Sequence, residues 1–158
     1  MKTIVILHNQ IGTINTMGNY SETTGKISFD FTDDMEKINK IKAFLYEGGL
    51  TDVLNKERKN HWGNVLPLHS TLFEDYATVN FDSIDIEFNA VKAYDLPHEI
   101  MATVKFLTNI GMSNIEVDIV RYGEVSSEDI EHYKLVDNKL VTAQAEIKYA
   151  FRNYSPFA

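Results

Sequence analysis

Four carboxylates stand at alternating positions on either side of one helical stretch: Asp85 and Glu87 in "DSIDIEF" (82–88), Glu116 and Asp118 in "NIEVDIVRYG" (114–123). An extended chain repeats every two residues. The acids therefore leave one face, while Ile84, Ile86 and Phe88, and Ile115, Val117 and Ile119, leave the other. Two such carboxylates can hold Mg²⁺ or Ca²⁺ through oxygen, or crowd until one has a raised pKa and serves as a general acid. The plain use of such a row is a solvated sheet face. The leading functional use is contact with a basic partner surface, carried by Asp85, Glu87, Glu116 and Asp118.

Phosphate handling is the alternative chemistry. "KERKNHW" (56–62) gathers Lys56, Arg58, Lys59 and His61 beside Trp62, a set that can hold a phosphate-bearing ligand while the indole stacks on a base. The same cluster also suits a solvated helix end, its cations opposing the helix dipole and Trp62 packed beneath. In "LHSTLF" (68–73), His69 and Thr71 form a His-x-Thr pattern that resembles the motif of two-histidine phosphoesterases. That family uses two such motifs on strands facing one phosphate. Here the residues two after the other histidines are Gln10, Gly63, Ile100 and Lys134, so the motif stands once. His69, Thr71, Lys56, Arg58, Lys59 and Trp62 make up this alternative phosphate-binding set.

No residue is assigned as catalytic, and no metal or cofactor is expected. "PHEI" (97–100) opens like a zinc helix but has Ala102 where the second histidine must stand, and the five histidines show no ligand spacing. Gly12 and Gly18 belong to no phosphate loop, and no local signature marks a nucleophilic Ser or Thr. The segment "YAFRNYSPFA" (149–158) carries Tyr149, Phe151, Tyr154 and Phe157, aromatic to the last residue but one, and exposes apolar surface unless covered, so Tyr154 and Phe157 join the partner-binding set.

These residues need a scaffold. "TIVIL" (3–7) reads as a strand, 15–25 as a polar connector, and "KISFDF" (26–31) as a second strand with Ile27, Phe29 and Phe31 on one side. Asp33 and Glu36 form a capping-box pattern ahead of a helix over about 33–46, stopped by Gly48 and Gly49. Thr51 caps a shorter helix through "DVLNKERKN", and His61 to His69 is loop. The alternation slips by one residue near Asp82 and Ser83, which predicts a tight turn between two strands. "YDLPHEIMATVKFLTNIG" (94–111) predicts a helix with Asp95 as cap, Pro97 in its first turn and Ile100, Val104 and Leu107 buried. A strand over 114–123 follows, then one helical turn over 126–133. A two-residue hairpin at Asp137 and Asn138 leads into a strand that keeps its alternation through Phe151, although Leu140, Gln144, Ile147 and Phe151 also fit a helix.

The result is a single α+β domain over residues 1–158. It has a mostly antiparallel, mixed sheet, two main helices and a central strand-helix-strand crossover. At 158 residues, with 9 Phe, 8 Tyr and 1 Trp, the chain can bury a sizeable core. The 15 basic and 23 acidic residues leave a net charge of −8, which repels phosphate backbones and excludes direct, sequence-independent nucleic-acid binding. The chain has no cysteine, which suits a reducing compartment. "MKTIVILHNQ" has too short an apolar run for a signal peptide and no membrane span is present, so a cytoplasmic location is expected. Lys supplies 12 of the 15 basic residues beside 13 Asn, a bias that fits an AT-rich genome and a viral structural or accessory factor, incorporated in a virion or free in the cytoplasm. The expected function is therefore that of a non-enzymatic, acidic binding or assembly subunit, its partner another protein or further copies of itself. A small phosphate ligand is expected only under the alternative.

Overall fold

The computed structural model describes residues 21–91, 95–123 and 130–144. The strand expected over 3–7, the residues 126–129 and 145–152, and Tyr154 and Phe157 lie outside them. The elements run β1 (Ser21–Ser28), α1 (Met35–Tyr46), α2 (Gly49–Trp62), α3 (Leu72–Tyr76), β2 (Ala77–Val79), β3 (Ser83–Val91), α4 (Leu96–Asn109), β4 (Glu116–Gly123), β5 (Ile130–Val136) and β6 (Lys139–Gln144). The fold is α+β, and its six strands lie in the order β2-β3-β1-β4-β5-β6 with every pairing antiparallel.

β3 and β4 run in the same direction, joined by α4, as the crossover pattern predicts. They are not neighbours: β1 lies between them and pairs antiparallel with both. This is a split strand-helix-strand unit. The sheet is accordingly antiparallel throughout the described residues, without the parallel pair that direct adjacency would give.

The insertion depends on Gly25. It adopts φ +147°, and a Cβ there would lie 2.1 Å from the carbonyl oxygen of Asp118 and 2.6 Å from Cα of Ile119. Only glycine permits β1 to come this close to β4.

One sheet face carries Ile27, Ile84, Ile86, Phe88, Val117, Ile119 and Tyr133, all buried in a core shared with the helices. Ile41 and Leu45 of α1, Leu50 and Leu54 of α2, Phe73 of α3, and Leu96, Ile100 and Leu107 of α4 complete it. Burying each such side chain stabilises the fold by about 1.5–3 kcal/mol. Phe44 and Phe106 stack with ring centroids 4.1 Å apart, locking α1 to α4.

Local chemistry sets the ends of these elements. Asp34, rather than Asp33, caps α1 by accepting from the Glu36 N–H, since Asp34 holds the extended conformation a cap requires. α2 starts before Thr51 and runs to Trp62, longer than expected; Thr51 is buried inside it and donates to Glu74 Oε2 at 3.5 Å. α3 was not expected from its short sequence, and Thr71 caps it by accepting from the Glu74 N–H. The predicted turn between β2 and β3 is present, with the Asn80 N–H donating to the Ser83 carbonyl. Asp137 and Asn138 both have positive φ, as a two-residue hairpin needs. Residues 130–133, expected to be helical, belong to β5, because Ile130 and Tyr133 pair across to β4.

Candidate functional site

The face of the sheet away from the helices carries the acidic row. Antiparallel register puts Asp85 opposite Lys26, Lys26 opposite Asp118, and Asp118 opposite Lys134. Charges thus alternate across four strands, and all four side chains are exposed. Glu87 and Glu116 share this face but lie opposite Thr24 and Ser28. The four predicted carboxylates are therefore brought to one exposed face, with cations from β1 and β5 interleaved among them.

The four are not equivalent. Asp85 organises the β2–β3 turn, accepting from Asn80 Nδ2 at 2.8 Å and from Ser83 Oγ at 3.1 Å. Asp118 Oδ1 lies 2.6 Å from His132 Nε2. Glu87 and Glu116 have no hydrogen bond or ion pair among the described residues, which leaves them available to an outside group. The described residues contain no group of three or more potential metal ligands.

A small cleft of about 50 Å³ lies between the end of α2 and the start of α4, lined by Leu54, Glu57, Arg58, His61, Trp62, Asp95 and His98. Small-molecule pockets usually measure roughly 300–1,000 Å³, so this space takes a water or two and not a nucleotide. Arg58 Nη1 is 3.8 Å from Asp95 Oδ2, an ion pair too long for a hydrogen bond, and the atom is buried without one. Of the predicted phosphate set, Arg58 and Trp62 meet here. His69 and Thr71 do not line the cleft: His69 is exposed in the loop before α3, and the Thr71 hydroxyl is occupied as the cap of that helix. Lys56 and Lys59 are exposed on α2. Trp62 is 59% exposed rather than packed beneath the helix end.

Glu99 is the buried acid that the pattern of the sequence did not single out. It is 2% exposed, and its Oε1 accepts from the Phe73 N–H at 3.0 Å, so a carboxyl from α4 closes the first turn of α3. Burial pushes its pKa from the ordinary 4.5 up to about 7. The N–H groups of Phe73 and Leu72 oppose that shift, and the carboxylates of Asp95 and Asp75 add to it. Leu96, Glu99, Ile100, Thr103 and Leu107 lie at i, i+3, i+4, i+7 and i+11, so helical periodicity alone places Glu99 on the buried stripe. A carboxyl half-protonated near neutrality suits acid-base chemistry. This one is enclosed and does not line the cleft, so its evident work is to hold α3 against α4.

At the far side of the sheet, Arg121 Nη2 pairs with Glu131 Oε1 at 2.6 Å, tying β4 to β5, and the Tyr133 hydroxyl donates to the same Glu131. Burial, with the hydrogen bond and charge of Glu131 adding to it, pushes the Tyr133 phenol up to about 12. The phenol therefore stays a donor at any working pH.

Two exposed apolar patches were also not anticipated. Phe31, expected to share the buried side with Phe29, is 70% exposed and lies with its ring centroid 6.0 Å from that of Phe81. The second patch is Trp62 with Val65 and Leu66, the last 88% exposed. No helix among the described residues is long and apolar enough to cross a membrane. Compared with known proteins, the chain matches no family model, no curated protein and no solved structure.

Proposed function

We propose that the chain is a non-enzymatic binding or assembly subunit that acts through protein–protein contacts. The observation that carries this reading is the sheet face opposite the helices, where Asp85, Glu87, Glu116 and Asp118 stand exposed together and Glu87 and Glu116 have no partner among the described residues. Carboxylates arranged this way suit a partner surface bearing Lys or Arg, giving register and rate of encounter more than raw affinity. A cytoplasmic setting, or a place in a virion, goes with the proposal. Phosphate handling has less support, since Thr71 serves as a helix cap, Arg58 is paired with Asp95, and the cleft beside them is far smaller than a nucleotide.

The interleaved lysines decide which substitutions test the idea. Glu87→Lys with Glu116→Lys reverses charge opposite neutral neighbours and should change stability by no more than about 0.5 kcal/mol. Asp85→Lys with Asp118→Lys sets like charges against Lys26 and Lys134 and removes the turn contacts of Asp85, so a loss of about 1–2 kcal/mol is expected. The informative variant for association is thus the Glu87/Glu116 pair. Native mass measurement of the protein from its own source should show a stoichiometric protein companion that dissociates at high salt, and the Glu87/Glu116 reversal should weaken that complex. A chain that stays alone at every ionic strength would reject the reading.

A further inference from the structure

The two exposed apolar patches carry opposite charge. Around Phe31 and Phe81 the flanking residues are Asp30, Asp33, Asp34 and Asp82, all exposed, and no cation lies between 29 and 36 or between 80 and 87. In the chain just before Trp62 stand Lys56, Lys59 and His61, all exposed; of the two acids beside Trp62 in the cleft, Asp95 is offset by its ion pair with Arg58, which leaves Glu57 against these basic side chains. This is the clearest basic cluster in a chain of net charge −8.

Both patches sit on firm backbone. The Phe31 segment extends β1: the Phe29 N–H donates to Asp82 O at 2.9 Å and the Thr32 N–H to Phe81 O at 3.0 Å, which holds the backbone beneath the two neighbouring rings. On the other patch, Trp62 ends α2. The loop beyond it is clamped where Asn55 both donates to the Leu68 carbonyl at 3.0 Å and accepts from the Leu68 N–H at 2.7 Å. Aromatic anchors already held in place lose little freedom on docking, which is the usual composition of an interface centre. Neither patch covers the other within one chain, since both remain exposed.

We propose that the occupant of the acidic Phe31–Phe81 patch is the basic Trp62–Leu66 patch of a second copy of this chain, giving head-to-tail self-assembly. The inference rests on the contact-subunit reading and names its partner. Because the two surfaces differ, the contact is heterologous: each copy joined leaves one patch of each kind unfilled, so assembly continues into open chains or closes into a ring.

Sedimentation velocity over a concentration series tests this. The wild type should grow beyond the dimer as concentration rises, and more weakly at high salt. Phe31→Ser with Phe81→Ser, and separately Trp62→Ser with Leu66→Ser, should each weaken self-association at least about 30-fold. Because all four side chains are exposed, the urea midpoints should stay near that of the wild type, which separates lost docking from lost folding. Mixed one to one, the two variants should restore pairing through their remaining intact patches and stop at the mass of two chains. A mixture that stays monomeric, or wild-type association that both variants leave unchanged, overturns the proposal. A monomeric wild type whose native complex holds a different, salt-sensitive protein companion overturns head-to-tail docking alone and leaves the contact-subunit reading standing.

Discussion

Replacing Glu99 by glutamine should flatten the pH dependence of stability between about pH 4.5 and 7 and make the chain more stable than the wild type at pH 8. The folded carboxyl keeps its proton up to about pH 7, whereas the unfolded one releases it near 4.5. The folded chain therefore binds more protons across that interval, and its stability falls as pH rises through it. The full swing is on the order of 3 kcal/mol, present below pH 4.5 and lost above pH 7. Glutamine keeps an oxygen for the Phe73 N–H and has no charge to bury. Leucine also has no charge to bury but offers no acceptor: it strands the N–H groups of Phe73 and Leu72 at the start of α3, and should cost about 2–4 kcal/mol even at pH 5. Urea midpoints at pH 5 and pH 8 separate the three proteins. Parallel pH profiles for wild type and Glu99→Gln would show that the carboxyl is not enclosed as described.

Gly25→Ala is expected to cost more than alanine at any other described glycine. Its Cβ would lie 2.1 Å from a backbone oxygen of β4, and backbone in a central strand cannot swing aside as a side chain can. A loss of roughly 3 kcal/mol or more follows, enough to threaten folding of a typical domain. Gly48→Ala is the control. Gly48 also has a positive φ, +91°, but nothing lies within 4 Å of the added Cβ, so only conformational strain of about 1–2 kcal/mol is expected. Equal losses at the two positions would mean that β1 and β4 do not approach so closely.

The parts of the fold that were legible in the sequence are those where one pattern acts alone. Alternation in 84–88 and 115–119 fixed which side chains share a face, Pro97 and the apolar period marked α4, and Asp137-Asn138 marked the hairpin. Legibility failed where a residue type serves two purposes. "SETTG" reads as a connector because Ser, Thr and Gly favour turns, yet it forms most of β1, whose threonines suit a strand and whose glycine admits β4. Ile130 to Tyr133 looked helical beside its acidic flank until pairing with β4 made it a strand. For the site, the shared face of Asp85, Glu87, Glu116 and Asp118 could be read from parity alone. The cations among them could not, because Lys26 enters only through the insertion of β1, a long-range event that local pattern does not encode. Glu99 was accessible to a full helical count but reads as an ordinary surface acid beside His98. The exposure of Phe31 and Phe81 had no local signal at all.

The central position of β1 governs how the chain must fold as it is synthesised. Ser28 pairs with Ser83 on one side and Glu116 on the other, partners 55 and 88 positions later. A nascent chain emerging from the ribosome therefore presents a strand with two open edges long before either neighbour exists, and closing those distant loops is slow. The first described strand to be made is among the last to be satisfied, and until then its edges are open to any other unpaired strand, including that of a neighbouring nascent copy.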